Sequence, residues 1–358
     1  LYNALKGSSA DSRIEKLASD LTANAGKSIV VCNSNDTKVQ TLVNKINLKL
    51  GNYKNTISLS NPSYLKQGDD TAVATLIKDM NAGNIAALFT HNVNPSYTLQ
   101  NASEYNSGVA KVGLTVATSL YNDESAANMT YVCADNHYLE SWEDANPSNG
   151  EYTLMQPTIA PLFNGRQFQE SIMSWMGKSD YYAYLQNFYT DIDWNKSVHD
   201  GYFTRGNGIV NADAKLTAVP SFDLSKSESI EFEMTEKISM GDGNQSNNPW
   251  LQELPDPLSR ACWDNYLTMS ASTARDLGIK NWNVSNGALN GNMVNITVNG
   301  FTLENVPVMI QPGQATGTVA MAVGYGRTAA GKCGNEIGFN AFSLGNGEAT
   351  IKVVDGEY

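Results

Sequence analysis

Residues 134–142, Ala134-Asp135-Asn136-His137-Tyr138-Leu139-Glu140-Ser141-Trp142, follow directly on Met129 to Cys133, an apolar run that reads as a β-strand. Charged, aromatic and small residues crowded past the end of a strand mark the place where open α/β sheets put their ligands. Reading back from this point, residues 11 to 133 alternate between helical and strand-like patterns. Ile14, Leu17 and Leu21 recur at helical spacing, with Asp11 or Ser12 as cap and Gly26 as stop. Ser28 to Cys32 reads as a short buried strand, and Val39, Leu42, Val43 and Ile46 make a second amphipathic helix closed near Gly51. A weak strand at Thr56 to Leu59 and a helix over 71–80 come next. The strand Ile85 to Thr90, a short helix near Leu99 to Tyr105 and the strand Val112 to Val116 complete the series. Strands separated by helices over this length imply right-handed crossovers and a parallel sheet, a Rossmann-like α/β domain.

The texture changes after Glu151. Trp175, Tyr181, Tyr182, Tyr184, Phe188, Tyr189 and Trp194 crowd a helical-looking segment, which reads as core packing that closes over the sheet. Beyond Ser221 the chain turns to short alternating strands: Ser229 to Met234, Met293 to Val298, Val306 to Ile310, Val319 to Val323 and Thr350 to Val354. Asn299-Gly300 between two apolar runs signals a type I′ hairpin. Short strands joined by Gly and Asn turns predict a closed β-barrel. The expected architecture is therefore α/β plus β, with an α/β domain over residues 1–220 and a barrel domain over 221–358. Gly243 to Asn248 and Pro249 to Pro257 read as surface loops.

Bulk properties narrow the function. Hydrophobic residues make up 41% of the 358 and charged ones 17%, a globular balance. The net charge of -12 argues against nucleic acid, whose phosphates it would repel. Apolar runs such as Ile85 to Phe89 fall far short of the roughly 20 residues that span a bilayer. The sequence starts at Leu1 rather than Met, so a fragment or a processed product is expected. Cys32, Cys133, Cys262 and Cys333 lie far apart with no paired spacing, which disfavours an iron–sulfur or zinc site. Cys32 and Cys133 end apolar runs and read as buried thiols.

Several motifs invite a chemical reading. Gly326 to Cys333 approaches a P-loop, but Cys333 offers no hydroxyl for magnesium and Gly334-Asn335-Glu336 starts a helix poorly, so nucleotide hydrolysis is rejected. In the longer segment from Gln311 to Thr328, Arg327 could grip an anion, while the glycines serve equally well as tight barrel turns; the residues leave both open. His137 and Glu140 have the interval of two ligands on one helical face, a pattern common by chance. His91 and Asn94-Pro95 read first as a turn, and His199-Asp200 as a surface pair.

Four segments in order resemble the molybdopterin-oxidoreductase-like B subunit of bacterial alternative complex III, a quinol-oxidising respiratory complex. They are Asn94-Pro95-Ser96-Tyr97-Thr98; Asp123-Glu124-Ser125-Ala126; His137 to Leu162, containing Gln156-Pro157-Thr158-Ile159-Ala160-Pro161-Leu162; and Gln311-Pro312-Gly313-Gln314 through Gly324-Tyr325-Gly326-Arg327-Thr328. Ala134 stands where that pattern has Pro, Glu143 where it has Gly, and Ser125 where it has Thr. The resemblance implies a Rossmann-like domain followed by a double-psi β-barrel. In cofactor-bearing relatives the matching positions line a pterin dinucleotide; here these are Asn94, Pro95, Glu124, Asn136, His137, Gln311, Gly324, Arg327 and Thr328. It further implies that this chain carries no cofactor and no catalysis of its own. Iron–sulfur clusters are expected in a C-terminal part outside this sequence. Haem-bearing and integral-membrane quinol-binding subunits, and a terminal oxidase, are the implied partners on the periplasmic side of the inner membrane. The alternative is a fragment of an active molybdopterin oxidoreductase acting on a small sulfur or oxo-anion substrate.

Overall fold

Ile230-Glu231-Phe232-Glu233-Met234 alternates apolar and acidic residues with the period of a strand, and in a computed structural model of the chain it is one, with Phe232 wholly buried and both glutamates exposed. The structure describes residues 1–8, 11–34, 36–53, 55–206, 221, 229–285 and 287–357. In chain order its helices are α1 (Ser12–Ala23), α2 (Thr37–Lys49), α3 (Asp70–Asn81), α4 (Pro95–Thr98), α5 (Ala102–Val109), α6 (Phe168–Trp175), α7 (Tyr181–Phe188), α8 (Trp194–Asp200), α9 (Pro249–Glu253) and α10 (Ala271–Asp276). Its strands are β1 (Ala87–His91), β2 (Leu114–Ser119), β3 (Tyr131–Ala134), β4 (Glu143–Ser148), β5 (Glu151–Met155), β6 (Tyr202–Thr204), β7 (Ile230–Thr235), β8 (Leu267–Met269), β9 (Asn281–Asn283), β10 (Leu289–Val298), β11 (Phe301–Ile310), β12 (Thr318–Ala322) and β13 (Gly347–Glu357).

The chain forms two compact units, each assembled from separate stretches. The first takes Leu1–Gly68, Tyr138–Ala160 and Asp180–Ser225; the second takes Asp69–His137, Pro161–Ser179 and Lys226–Tyr358. The domain boundary expected at Pro220 lies outside the described residues.

In the first unit, Asp11 and Asp36 cap α1 and α2 as helix starts require, each accepting backbone N–H groups of the first turn. Ser28 to Cys32 is not the buried strand expected: Ile29 and Val31 are exposed, and so is Cys32. A side chain takes the role of a partner strand. The buried Asn47 of α2 accepts the Val30 N–H at 2.9 Å and donates to the Val30 carbonyl at 2.7 Å. Thr56 to Leu59 likewise forms a single bridge, Tyr53 to Ile57, in place of a strand. Strands β4, β5 and β6, which the sequence did not suggest, pair antiparallel. Against them Tyr181 and Tyr189 are buried and both donate to Asp144. The aromatic segment is thus core only in part, since Tyr182, Tyr184 and Phe188 stay exposed.

In the second unit β1, β2 and β3 form a parallel sheet, with Phe89, Val116 and Tyr131 in register. Helices α3 and α5 cover one face through Ile77, Met80, Tyr105 and Val109 against Leu88 and Ala117. The short helix expected near Leu99 to Tyr105 is two helices, α4 and α5, because Asn94-Pro95 starts one turn and Asn101 a second. The strand expected at Val112 to Val116 starts two residues later and runs on to Ser119. Trp175, expected in the closing aromatic stripe, belongs to α6 and meets Phe89 at 5.7 Å between ring centres.

The later strands close a barrel. Among the described residues the ring runs β11-β8-β12-β7-β13-β10 and returns to β11, with β9 added beside β10. The β8–β11 and β7–β12 pairs are parallel and the other pairs of the ring antiparallel. Inward residues Phe232, Leu267, Met269, Val294, Ile296, Val306, Val319 and Met321 fill it. Asn299 and Gly300 both take positive φ and join Val298 to Phe301, as the hairpin signal predicts. The expected surface loops are not loose: Pro249–Glu253 is helix α9, and Ser246 and Gln252 are buried.

Candidate functional site

The carboxyl ends of β1 and β2 carry the first two predicted segments. After β1 the chain turns at Asn92, which takes φ 47°, and reaches Asn94; Pro95 then opens α4 at the first-turn position where a missing N–H costs nothing. After β2 the chain reaches Asp123-Glu124-Ser125, and Asp123 accepts the Ser125 and Ala126 N–H groups to start a short turn of 3₁₀ helix, Ala126–Asn128. Asn94 ties the two segments together. Its Oδ1 accepts the Ser125 N–H at 3.1 Å and the Ser125 hydroxyl at 2.7 Å, and its Nδ2 donates to Glu124 Oε2 at 2.7 Å.

The fourth predicted segment arrives at the same carboxylate. Arg327 donates from Nε to Glu124 Oε1 at 2.9 Å and from Nη2 to Oε2 at 2.8 Å, a two-pronged ion pair. The backbone N–H groups of Thr328 and Ala329 both donate to Oε1, at 2.8 and 2.9 Å. Arg327 Nη1 donates to the Gly243 carbonyl at 2.7 Å. Its guanidinium lies over the Tyr97 ring, and Tyr97 donates its own hydroxyl to the Tyr325 carbonyl. Both partners are almost fully buried, at 7% and 11% side-chain exposure, so their desolvation must be offset by these contacts. Burial alone would raise the Glu124 carboxyl, but the donors from Arg327, Ala329 and Asn94 outweigh it and hold it at about 2. Burial dominates at Asp123, whose carboxyl is raised.

Gly324 and Gly326, both at positive φ, bracket Tyr325 and make this approach possible. A Cβ on Gly326 would overlap the backbone of Asn340, and one on Gly324 would stand 2.8 Å from the Gly241 carbonyl. The P-loop likeness ends here. The Asn335 carboxamide, rather than a phosphate, accepts the Ala330 and Gly331 N–H groups, and no α-helix follows among the described residues.

Beside the ion pair opens a cleft of about 420 Å³, lined by Asn92, Asn94, Tyr121, Asp123, Asn247 and Arg327 among others. Of the predicted residues, Asn94, Pro95, Glu124, Gly324, Arg327 and Thr328 thus come together. Gln311 goes elsewhere: it lines a separate cavity of about 540 Å³ on the barrel with Lys237 and Tyr266. Asn136 follows β3 and lies against Gly165, while His137 is the last residue of its stretch of the second unit. Tyr138–Glu140 is a single 3₁₀ turn, and no cluster of three His, Cys, Asp or Glu suited to a metal occurs among the described residues. Cys133 is only partly buried and does not pack as the apolar core residue expected.

Sequence reasoning passed over a second constellation at the same sheet edge. Asp135, only 5% exposed, accepts the Phe168 and Asn136 N–H groups, and Phe168 stacks on His91 at 4.1 Å. The Thr118 hydroxyl donates to the Thr90 carbonyl at 3.1 Å and lies 3.0 Å from His91 Nδ1. The signal available was the common position of His91 and Asp135 at strand ends, which a linear pattern does not bring together.

The fold is molybdopterin-oxidoreductase-like. The structure of acetylene hydratase from Pelobacter acetylenicus matches with a TM-score of 0.56 at 14% identity, over 76% of this chain and 42% of that one. In sequence the chain is similar to the menaquinone reductase, molybdopterin-binding-like subunit, of Nitratidesulfovibrio vulgaris (strain Hildenborough), 25% identical over 305 residues. That match takes in 80% of this chain but 41% of the relative, so the chain spans about two fifths of its length. No protein-family model matches.

A pterin dinucleotide, which such a fold implies, needs N–H donors for its phosphates. The donors at residues 327–329 are turned onto Glu124, so as arranged they do not fit a further anion. No helix among the described residues is long and apolar enough to cross a membrane.

Proposed function

We propose that this chain is a cofactor-less, molybdoenzyme-like scaffold in a quinone-linked respiratory electron-transfer complex. On this reading it belongs with the B subunit of alternative complex III. It positions iron–sulfur and haem-bearing subunits on the periplasmic side of the membrane, where quinol is oxidised, and its barrel is of the double-psi type. The name of the menaquinone reductase subunit supports the quinone-linked setting. The observation that carries the scaffold role is the Glu124–Arg327 pair, in which the best anion-binding donors of the site hold an internal carboxylate. The two parallel strand pairs of the closed ring support the double-psi reading.

The cleft beside Arg327 favours a second reading, a fragment of an active molybdopterin oxidoreductase acting on a small sulfur or oxo-anion substrate. Molybdenum and tungsten content, with pterin extraction, on the parent polypeptide in its native assembly separates the two. The scaffold reading expects neither metal nor pterin, and co-purification with haem-bearing subunits. Near-stoichiometric metal and pterin would overturn it in favour of the second.

A further inference from the structure

We infer that the barrel cavity around Lys237 is a binding site for a small apolar aldehyde or ketone, which the Lys237 amine holds as an imine. The inference goes beyond the scaffold reading and does not rest on it. The cavity is separate from the cleft beside Arg327 and shares no lining residue with it.

Lys237 follows the end of β7 by two residues, and its side chain is only 11% exposed. Its Nζ donates to the Asp264 carbonyl at 3.1 Å, the one hydrogen bond it makes among the described residues. The Asp256 carboxylate stands off at 3.8 Å, and the rings of Tyr266 and Tyr325 have their centres 4.5 and 5.3 Å away. An ammonium has three hydrogens to place, so burial with a single acceptor favours the neutral amine. Burial pulls the Lys237 amine below its ordinary value, although Asp256, Asp264 and Cys262 draw it up. A desolvated neutral amine is the form of lysine that attacks a carbonyl carbon.

The cavity supplies the rest. At about 540 Å³ it has the size of a small-molecule site. Ala320, Ala322 and Pro257 line it, and Ile238 and Leu258, 86% and 73% exposed, add aliphatic surface. The other charged residues of the lining are the acids Glu233, Glu236 and Asp256, which disfavour an anion. A neutral carbonyl compound with an apolar body suits the amine, the apolar lining and the acidic neighbours together. In the step itself the amine nitrogen bonds to the carbonyl carbon and gives both its hydrogens to the carbonyl oxygen. That oxygen leaves as water, and no outside oxidant or reductant takes part.

The test treats the whole chain near neutral pH with benzaldehyde and sodium cyanoborohydride, which reduces an imine to a stable benzylamine. Peptide mass spectrometry then follows the labelling of each lysine. Lys237 is expected to react about tenfold faster or more than the exposed Lys66 and Lys178, because burial enriches its neutral form. Benzyl alcohol, of similar shape but without the carbonyl, should slow Lys237 saturably and leave Lys66 and Lys178 unaffected. Lys237→Met should retain only the slow labelling of the exposed lysines. The comparison within the wild type stands by itself if that variant fails to fold. Labelling of Lys237 no faster than that of the exposed lysines overturns the inference, and so does fast labelling that benzyl alcohol does not slow. Neither result bears on metal or pterin content, so the two proposals fail separately.

Discussion

The guanidinium carbon of Arg327 lies 4.9 Å from the centre of the Tyr97 ring, and the hydroxyl of the same tyrosine donates at 2.7 Å to the carbonyl of Tyr325. One side chain from α4 thereby holds both the arginine and the backbone just before it. Burial pushes the Tyr97 phenol up, so it stays a donor across the ordinary pH range. The Tyr97 ring also meets Phe342 edge to face at 5.4 Å, which anchors the clamp in the barrel side of the same unit.

Arg327→Leu should cost about 3–5 kcal/mol, because it strands the Glu124 carboxylate in a buried setting. The double variant Arg327→Leu/Glu124→Leu should cost clearly less than the sum of the single changes. Urea unfolding of the four proteins measures both effects; full additivity would mean that the pair is not coupled.

Stability should depend on pH through Glu124. Its folded carboxyl sits at about 2, below the ordinary 4.5, so the ion pair's contribution is full above the ordinary value and lost as pH falls toward 2. The gap in unfolding free energy between wild type and Glu124→Gln should therefore shrink as pH is lowered from about 4.5 to about 2. A gap that stays constant over this range would contradict the assignment.

Gly326→Ala and Gly317→Ala form a matched pair, since both glycines take positive φ, at 67° and 81°. Only Gly326 has neighbours that a Cβ would strike; Gly317 has none within 4 Å. Gly317→Ala should cost about 1–2 kcal/mol, the backbone penalty alone. Gly326→Ala should exceed it by at least about 2 kcal/mol and loosen the Arg327 turn. Equal Tm losses would show that the Asn340 backbone yields freely.

Asn47→Leu keeps the branched outline of the side chain but deletes both hydrogen bonds to Val30. We expect a loss of about 1–3 kcal/mol and faster hydrogen exchange at the Val30 amide. Unchanged protection there would mean that residues 28–32 are held by something other than this carboxamide.

How far the sequence could be read follows from the range of the forces involved. Helices α1, α2 and α3 announce themselves through caps and spacing, and β7, β10, β11, β12 and β13 through alternation and the Asn299-Gly300 turn. These are local effects, complete within a few residues. Ser28 to Cys32 misled because an isolated apolar run looks the same whether its polar backbone is met by a strand or by one asparagine 17 residues on. Strands β4 and β6 were invisible for the same reason, since Glu143–Ser148 carries no alternation and Tyr202–Thr204 is too short. At the site, the motifs named Glu124 and Arg327, but nothing linear says that residues 203 positions apart meet each other. Gln311 shows the converse: it shares a glycine-rich segment with Arg327, yet β12 intervenes and it faces a different cavity.

The interleaving of the two units has a consequence for how the chain is made. Neither unit is one continuous stretch: the first draws on residues as late as Ser225, and the second starts at Asp69 and needs the strands up to Glu357. A ribosome releasing the chain from the amino end delivers β1, β2 and β3 before Arg327, so Glu124 is made 203 positions ahead of the arginine it meets. Nor can any single cut separate the two, since a piece that holds one unit whole still carries stretches of the other. Reducing this chain to either unit alone therefore takes more than one cut and new joins between stretches far apart in sequence.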